Sequence, residues 1–348
     1  MDMDFRHNIH HIRTKDMILR KNFIDRIIIH AKKLGKTIIL AEPEDDRILH
    51  AADSIMKKKI AKIILIGDEK KTRARMKTLG LKCNGVQIID IGNPPYDFSQ
   101  QLYNFRKKKG MTIQVAKKLL KEPIYYATMM VKLGYADGLV SGAVHPTSHT
   151  FRPALQIIKT EPGVNTASTY FIISMKKREM VFADCALNVD PDANQLADIA
   201  VKTADSARMF GLEPRVAMLS FSTKGSGKSP SVDKVVKATK IAKKKRKNLI
   251  IDGEMQVDAA LIPEVAKLKA SNSSLKGDAN VLIFPDLNSA NISYKLVEKF
   301  TDSIAIGPIT QGLAKPVNDL SRGCTVKEII LVTAITAIQG ERLSRKKK

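Results

Sequence analysis

Aromatic residues are scarce in this sequence, which has no tryptophan and an aromatic content of only 5%. Aromatic rings are the platforms on which single-stranded nucleic acids stack, so their scarcity weighs against nucleic-acid binding although the formal net charge is +24. Most of the excess is lysine spread along the chain, and the dense runs at 57–59, 106–109 and 243–247 lie near the ends of predicted helices, where cations favour the helix dipole. We therefore expect a solvated, lysine-rich surface, which can also attract a polyanionic small substrate, and no nucleic-acid partner.

Cysteine is equally rare. Cys83, Cys185 and Cys324 are too few and too scattered for a disulfide framework or a CxxC zinc site. No apolar run approaches the roughly 18–20 residues of a membrane span. The polar start, MDMDFRHNIHHIR, lacks the apolar core of a signal peptide. These absences predict a cytoplasmic protein with reduced thiols and no membrane partner.

The chain does contain short β-branched runs that alternate with longer amphipathic stretches. At roughly 100–200 residues per domain, its length suggests about two domains. We predict helices over 45–58, 193–210 and 326–341. We predict strands over 37–41, 62–66, 86–91, 138–141, 169–174, 180–185, 216–221, 248–252, 281–284 and 303–306. This alternation is typical of an α/β fold with mainly parallel sheets and right-handed crossovers, in which ligands bind beyond the carboxyl ends of the strands.

The first polar loop lies in SGAVHPTSHTFRPALQIIKT, residues 141–160. A predicted strand ends at Ser141 and Gly142, and a helix is predicted to begin near Thr150 with Pro153 in its first turn. Small residues let a ligand approach the backbone, free N–H groups at a helix start attract anions, and Arg152 adds a guanidinium suited to phosphate. The alternative is an ordinary strand–loop–helix connection with a capping threonine and a surface arginine.

Two histidines in the same loop, His145 and His149, have the i, i+4 spacing of a metal pair. Pro146 interrupts any helix between them, and no third ligand is evident in the sequence. We therefore predict no metal site here.

The second loop, SFSTKGSGKSPSVDK over 220–234, resembles a phosphate-binding P-loop. The pattern GxxxxGK[ST] would require glycine where Ser222 stands, which weighs against a nucleoside triphosphatase. A strand, a glycine-rich loop and a helix are nonetheless predicted in the right order. Backbone N–H groups flanked by Lys224 and Lys228 suit an anionic group of a ligand.

The third loop is GLAKPVNDLSRGCTVKE, residues 312–328, in which five chemically versatile side chains crowd into seven positions: Asn318, Asp319, Ser321, Arg322 and Cys324. Thr325 and Glu328 form the S/T-x-x-E pattern of a capping box at the start of the last predicted helix. A cysteine near a helix start can have a lowered pKa, but a buried structural thiol is the commoner case.

These stretches together resemble the phosphate acetyltransferase (phosphotransacetylase) family, including the related phosphate butyryltransferases. The resemblance covers nearly the whole chain. It rests on the number, order and spacing of the segments LAEPEDDRILHAA, FRKKKGMT, YADGLVSGAVHPTSHTFRPALQIIKT, VFADCALNVDP, SFSTKGS, DGEMQVDAA, FPDLNSANISYK and PVNDLSRGC.

The resemblance implies two α/β/α domains with mainly parallel sheets and an interdomain cleft, similar to isocitrate and isopropylmalate dehydrogenases. The first domain would comprise residues 1–157 and 308–348, and the second residues 158–307. A homodimer is also implied.

The implied reaction is the reversible transfer of an acetyl group between acetyl phosphate and coenzyme A by direct attack of the thiolate. Coenzyme A would be a substrate, and neither a tightly bound cofactor nor a metal is expected. The alternatives are a phosphate butyryltransferase and a noncatalytic family member.

The family's functional residues carry over position by position. Arg106, Arg152 and Arg322 match its phosphate- and CoA-contacting arginines, and Ser321 matches the serine that stabilises the transition state. The aspartate base seven residues after that serine is replaced by Glu328, which can instead serve only as the capping-box partner. The expected catalytic residues are therefore Ser321, Arg322 and Glu328, with Asp319 as the alternative base. The expected substrate- and CoA-binding residues are Arg106, Ser141, Gly142, Arg152, Lys224, Asn318, Asp319 and Cys324.

Overall fold

A computed structural model describes residues 23–345 except Cys83 and Lys177. The polar start of the chain, Cys83 and the last three lysines therefore lie outside the described residues. The chain folds into two compact units. We call Ile24–Pro162 with the segment from Leu313 onward the split unit, and Gly163–Gly312 the continuous unit. The domain boundaries that the resemblance implies, at 157/158 and 307/308, stay a prediction.

The split unit is built on a sheet of five strands, all parallel, in the order β11-β4-β1-β2-β3. The strands are β1 (Thr37–Leu40), β2 (Lys62–Ile66), β3 (Gln87–Ile89), β4 (Gly138–Ser141) and β11 (Val317–Asp319). Almost every residue of β1, β2 and β4 is buried. This is the pattern of strands that helices cover on both faces.

The helices of the split unit are α1 (residues 23–34), α2 (Asp46–Lys57), α3 (Glu69–Thr78), α4 (Ser99–Arg106), α5 (Ile113–Leu119), α6 (Pro123–Leu133), α7 (Thr147–Pro153) and α13 (Val326–Arg345). A 3₁₀ turn, Lys107–Lys109, follows α4, and a π-helical segment, Ala154–Ile158, follows α7. Helix α13 packs on α2 and on the sheet, which explains its long buried apolar face.

The continuous unit has a mixed six-stranded sheet in the order β10-β5-β6-β9-β7-β8, antiparallel from β10 to β6 and parallel beyond. Its strands are β5 (Ser168–Ser174), β6 (Glu179–Ala183), β7 (Arg215–Leu219), β8 (Ile250–Met255), β9 (Val281–Ile283) and β10 (Ile304–Gln311). Its helices are α8 (Ala193–Met209), α9 (Pro230–Lys245), α10 (Val257–Leu261), α11 (Pro263–Lys269) and α12 (Leu287–Phe300). Phe171 and Tyr294 stack within its core, with ring centroids 4.1 Å apart.

The predicted α/β class with largely parallel sheets is confirmed, and each predicted strand and helix has a counterpart. The basic runs at 57–59, 106–109 and 243–247 lie at the ends of α2, α4 and α9, as predicted. Within the described part of the chain, none of the helices combines the length and apolar character of a membrane span.

Two local predictions are wrong. Strand β10 continues to Gln311, beyond the strand predicted at 303–306, and the third predicted loop, 312–328, contains a further strand, β11. Helix α7 begins at Thr147 rather than near Thr150, and Pro153 is its last residue rather than part of its first turn. Proline has no N–H to donate one turn back, so the regular helical ladder is interrupted there and the π-helical segment begins.

Candidate functional site

The loops after three adjacent strands of the split unit meet at one edge of its sheet. Strands β11, β4 and β1 are neighbours and parallel, so their carboxyl ends share that edge. The loop after β4 begins at Gly142, and the loop after β11 carries Ser321 and Arg322. The fold therefore brings together two of the three sequence-predicted loops.

Glu42, just after β1, holds the loop after β4. Its side chain is almost fully buried and accepts hydrogen bonds from the backbone N–H groups of Gly142 (2.8 Å) and Ala143 (2.7 Å). Its other oxygen lies 2.7 Å from Nδ1 of His145. One buried carboxylate thus fixes both the backbone and a side chain of this loop.

Arg47, in the first turn of α2, connects the three loops that follow β1, β4 and β11. Its Nη1 donates to the carbonyl oxygens of Arg322 (2.8 Å) and Cys324 (2.9 Å), and its Nη2 donates to that of Ala143 (2.9 Å). Asp45 accepts three further bonds from the same guanidinium, at 3.0 and 3.2 Å from Nε and at 2.6 Å from Nη2. These bonds from Arg47 hold the pKa of Asp45 below its usual range.

Asp319, at the end of β11, is fully buried against the loop after β4. Thr147 donates its hydroxyl to Oδ2 at 2.7 Å, whereas Oδ1 has no hydrogen-bond partner among the described residues. Loss of hydration raises the pKa of Asp319 to about 6, against the lowering effect of the nearby hydroxyls of Thr147 and Thr150. Gly142 is required beside it, because its φ is +107° and a Cβ there would lie 2.1 Å from Oδ1.

The loop after β11 turns sharply before α13 begins. The N–H of Cys324 donates to the carbonyl oxygen of Ser321 at 2.9 Å, and the N–H of Gly323 points to the Ser321 hydroxyl oxygen at 3.4 Å. The predicted capping box is confirmed, since Thr325 N–H donates to Glu328 Oε2 (2.7 Å) and Glu328 N–H to Thr325 Oγ1 (3.3 Å).

The idea that the helix start lowers the pKa of Cys324 is wrong. The thiol is buried, and loss of hydration raises its pKa to about 11 although Arg47 lies close to it. A protonated thiol is a poor nucleophile. The alternative of a buried structural cysteine is therefore the correct one.

Asn318 is fully buried in β11 and faces the last helix. Its amide nitrogen donates to Thr336 Oγ1 and to Gln339 Oε1, both at 2.8 Å. This side chain anchors the strand that carries Asp319 to α13. The structure thus gives the predicted binding residue Asn318 a visible supporting role.

Two of the predicted arginines act on the same phenol. Burial raises the pKa of Tyr125, and the charges of Arg152 and Arg106 both act against that rise. Arg152 is exposed near the end of α7, and Arg106 ends α4 with its Nε buried and unpartnered in the described part of the chain. Ser141 Oγ is likewise buried without such a partner among those residues.

His145 and His149 lie side by side, in the loop after β4 and in α7. Their rings stack with centroids 4.2 Å apart, and burial together with His145 lowers the pKa of His149. Across residues 23–345, apart from the two omitted positions, no group of three or more metal-binding side chains was found.

Lys224 lies in the continuous unit, after β7. Its Nζ lies 2.8 Å from Oδ1 of Asp252, and Lys243 Nζ lies 2.9 Å from the same oxygen. Burial raises the pKa of Asp252, but the hydrogen bonds from the two lysines prevail and leave it lowered. Lys224 thus has a carboxylate partner within its own unit.

Sequence reasoning missed Glu42, Asp45 and Arg47 as site residues. The signal was present, because these charged side chains follow directly on the apolar strand predicted at 37–41. Charged residues at the carboxyl end of a buried parallel strand mark a ligand edge.

Comparison with known proteins agrees with the motifs. Residues 22–337 match the family model described as "Phosphate acetyl/butaryl transferase". The phosphate acetyltransferase of Acetivibrio thermocellus is 51% identical over 92% of this chain and 98% of its own length. That of Clostridium acetobutylicum is 49% identical over 92% of this chain and 99% of its own length.

The fold agrees as well. A phosphotransacetylase from Streptococcus pyogenes superposes with a TM-score of 0.86 at 43% identity, covering 91% of this chain and 99% of its own. The family match spans most of the chain, and the two relatives align over almost their whole length. The chain belongs to the phosphate acetyl/butyryl transferase family.

Proposed function

We propose that this protein is a phosphate acetyltransferase, which moves an acetyl group reversibly between acetyl phosphate and coenzyme A. The observation that carries the proposal is the meeting of the Ser321–Arg322 loop with the loop after β4 at one edge of a parallel sheet. The names of the two relatives that align over nearly their full length support acetyl as the transferred group.

The proposed chemistry is a direct acyl transfer. The sulfur of the CoA thiolate attacks the carbonyl carbon of acetyl phosphate, a carbon–sulfur bond forms, and the bond from that carbon to the bridging oxygen breaks. Phosphate leaves with the electron pair. The reverse reaction follows the same path, and coenzyme A acts as a substrate rather than a bound cofactor.

Cationic and donor groups supply what the transition state needs. Arg322, Arg152 and Arg106 would bind the phosphoryl groups and offset the charge of the leaving phosphate, since guanidinium groups bind phosphate bidentately. Ser321 would donate its hydroxyl to the developing oxyanion. Ser141 is the last residue of β4, and Gly142 begins the loop after it, where its N–H donates to Glu42.

Glu328 is proposed as the base that accepts the thiol proton. Its carboxylate is partly exposed and also caps α13. Asp319 is the alternative, and the perturbed pKa near 6 would suit a base. Because Asp319 is fully buried, however, a thiol cannot reach it without displacing Gly142 or Thr147, which favours Glu328.

The deciding experiment measures acetyl-CoA formed from acetyl phosphate and coenzyme A by the purified full chain. Steady turnover is the expected result, and its absence would leave the noncatalytic alternative. Butyryl phosphate should be assayed in parallel. One methylene is worth roughly 1–3 kcal/mol in an apolar pocket, so a preference for butyryl would identify a phosphate butyryltransferase instead.

A homodimer in the cytoplasm is proposed as the working form. Ile292, Leu296 and Phe300 lie four residues apart on α12 with large exposed fractions, which is the kind of apolar surface that self-association buries. Light scattering coupled to size-exclusion chromatography checks the mass. A Leu296→Glu variant that stays dimeric would exclude this face of α12 as the interface.

A further inference from the structure

The guanidinium of Arg47 reaches the proposed catalytic loop mainly through backbone oxygens. It binds the carbonyls of Arg322 and Cys324 on one side and that of Ala143 on the other. No side chain of the loop other than the Cys324 thiol, 3.9 Å away, takes part in this contact. Arg47 therefore acts on how the loop's peptide groups are oriented rather than on its side chains.

The orientation of one peptide group matters most. A trans peptide is planar, and its carbonyl oxygen and N–H point in opposite directions. The carbonyl of Arg322 and the N–H of Gly323 belong to the same peptide, so the bond from Arg47 also sets the direction of that N–H. The N–H of Gly323 points to Oγ of Ser321, at 3.4 Å.

This contact determines which hydrogen bonds the Ser321 hydroxyl can still make. Its oxygen accepts from Gly323, whereas its hydrogen finds no acceptor among the hydrogen bonds of the described chain. The side chain is exposed, so the hydrogen is available to a substrate oxygen. A hydroxyl that accepts one hydrogen bond donates another more strongly, because the two bonds polarise each other.

Arg47 is itself held in place by the start of α2. Asp45 caps this helix by accepting the backbone N–H of Arg47 at 2.8 Å, and the same carboxylate binds the guanidinium through two nitrogens. The paired bonds fix the plane of the guanidinium. A lysine ammonium could not present donors in the same plane to carbonyls on two loops.

We propose that Arg47 is a positioning residue for acyl transfer, which orients the Arg322–Gly323 peptide so that its N–H primes the Ser321 hydroxyl as the oxyanion donor. Arg47 touches neither substrate in this scheme. The inference rests on the proposed function, because it assigns to Ser321 the donor role in that reaction.

The test compares Arg47→Ala with Arg75→Ala in the acetyl-CoA assay. Arg75 is a matched control, since it binds Asp46 through two nitrogens at 2.8 and 2.5 Å but touches none of the three loops. We expect Arg47→Ala to lower kcat about 10²-fold, the usual loss when a reacting group is misplaced by about 1 Å. KM for both substrates should change little, and Arg75→Ala should keep the wild-type kcat.

Two further measurements separate positioning from loss of structure. Guanidinium ion added to Arg47→Ala should restore part of kcat, whereas added ammonium should not. Arg47→Lys keeps the charge and the stem, so it should fold like the wild type, by urea denaturation, and still show a kcat at least about tenfold lower. This variant decides the matter if Arg47→Ala is poorly folded.

The outcomes distinguish this inference from the proposed function. An inactive wild-type protein would overturn both the proposed function and the role of Arg47. An active wild type with unchanged kcat in Arg47→Lys would overturn the positioning role alone, as would a loss of activity that appears in KM and leaves kcat intact.

Discussion

Buried aspartates occur in both units, and their surroundings differ. In the continuous unit, Asp184 accepts the backbone N–H groups of Thr169 and Asn188, each at 3.0 Å, and Asp252 lies between two lysine ammonium groups. In the split unit, Asp319 has the Thr147 hydroxyl on one oxygen and no partner on the other within the described chain.

This difference distinguishes carboxylates that support the fold from polar groups that can act on a ligand. Carboxylates that are fully engaged by donors stabilise turns and strand edges, because a buried charge is tolerated when it is paired. The split unit instead leaves polar groups without a partner among the described residues, namely Oδ1 of Asp319 at the end of β11 and Nε of Arg106 at the end of α4, and the Ser321 hydroxyl hydrogen is free to donate. Ligand chemistry is therefore expected to depend on the split unit.

The largest effect is expected for Arg322. Arg322→Ala should lower kcat/KM for acetyl phosphate about 10³-fold, the upper range for the loss of one transition-state donor. Arg322→Lys should recover only part of it, because an ammonium cannot make the bidentate contact. Steady-state kinetics with each substrate varied in turn check this. Full recovery by lysine would mean that the arginine acts as a point charge.

Glu328 has two functions that a pair of variants can separate. Glu328→Gln keeps an acceptor for the capping box, so it should retain stability while kcat falls at least about 10²-fold through loss of the base. Glu328→Ala should show the same kcat loss and, in addition, about 1 kcal/mol less stability from the lost cap.

Rate and denaturation measurements on both Glu328 variants are needed. If Glu328→Gln keeps the wild-type kcat, Glu328 serves only to cap α13, and Asp319 becomes the candidate base.

The raised pKa of Asp319 predicts that the free energy of unfolding depends on pH. Its pKa of about 6 in the folded state lies above the value of 3.8 for a free side chain, so the folded state binds the proton more tightly. This contribution is complete below about pH 4 and is lost as the pH rises through about 6. Relative to Asp319→Asn, the wild type should lose about 3 kcal/mol between these limits.

Asp252→Asn is the matched control, since the lysines hold the pKa of Asp252 below its usual range. The difference in the free energy of unfolding between this variant and the wild type should be flat from about pH 4.5 to 7.5. Urea denaturation across that range measures both pairs. A flat profile for Asp319→Asn as well would erase the contrast between the units.

The smallest effect is expected in the continuous unit. If Lys224 contacts coenzyme A, Lys224→Ala should raise KM for coenzyme A several-fold and leave kcat unchanged, because uniform binding is lost. Lys243→Ala removes the other cation beside Asp252 and serves as the control. Equal KM values in the two variants would show that Lys224 only neutralises Asp252.

Ten of the eleven described strands and the positions of the polar segments could be predicted because each depends on local pattern. Apolar β-branched runs such as Lys62–Ile66 stand out from their surroundings, and the rule that ligands bind at the carboxyl ends of parallel strands then selects the loops after them. The capping box of Thr325 and Glu328 lies within four residues and was equally visible.

What could not be predicted depends on partners far away in the sequence. Strand β11 has only three residues, two of them polar, and its burial is intelligible only once Asn318 meets Thr336 and Asp319 meets Thr147. Arg47 and the carbonyl of Arg322 are 275 residues apart. No periodicity in one sequence signals a hydrogen bond between a side chain and a distant backbone oxygen.

The placement of β11 has a consequence for synthesis. Within the described residues this strand pairs with β4 alone, and Val317 lies opposite Leu139, so the whole continuous unit is translated between the two halves of that pair. Contacts between such distant segments form late, because a long loop must close before they contribute. On the ribosome, the continuous unit can fold as soon as it emerges, whereas the loop of Ser321 and Arg322 is positioned only when the last part of the chain arrives.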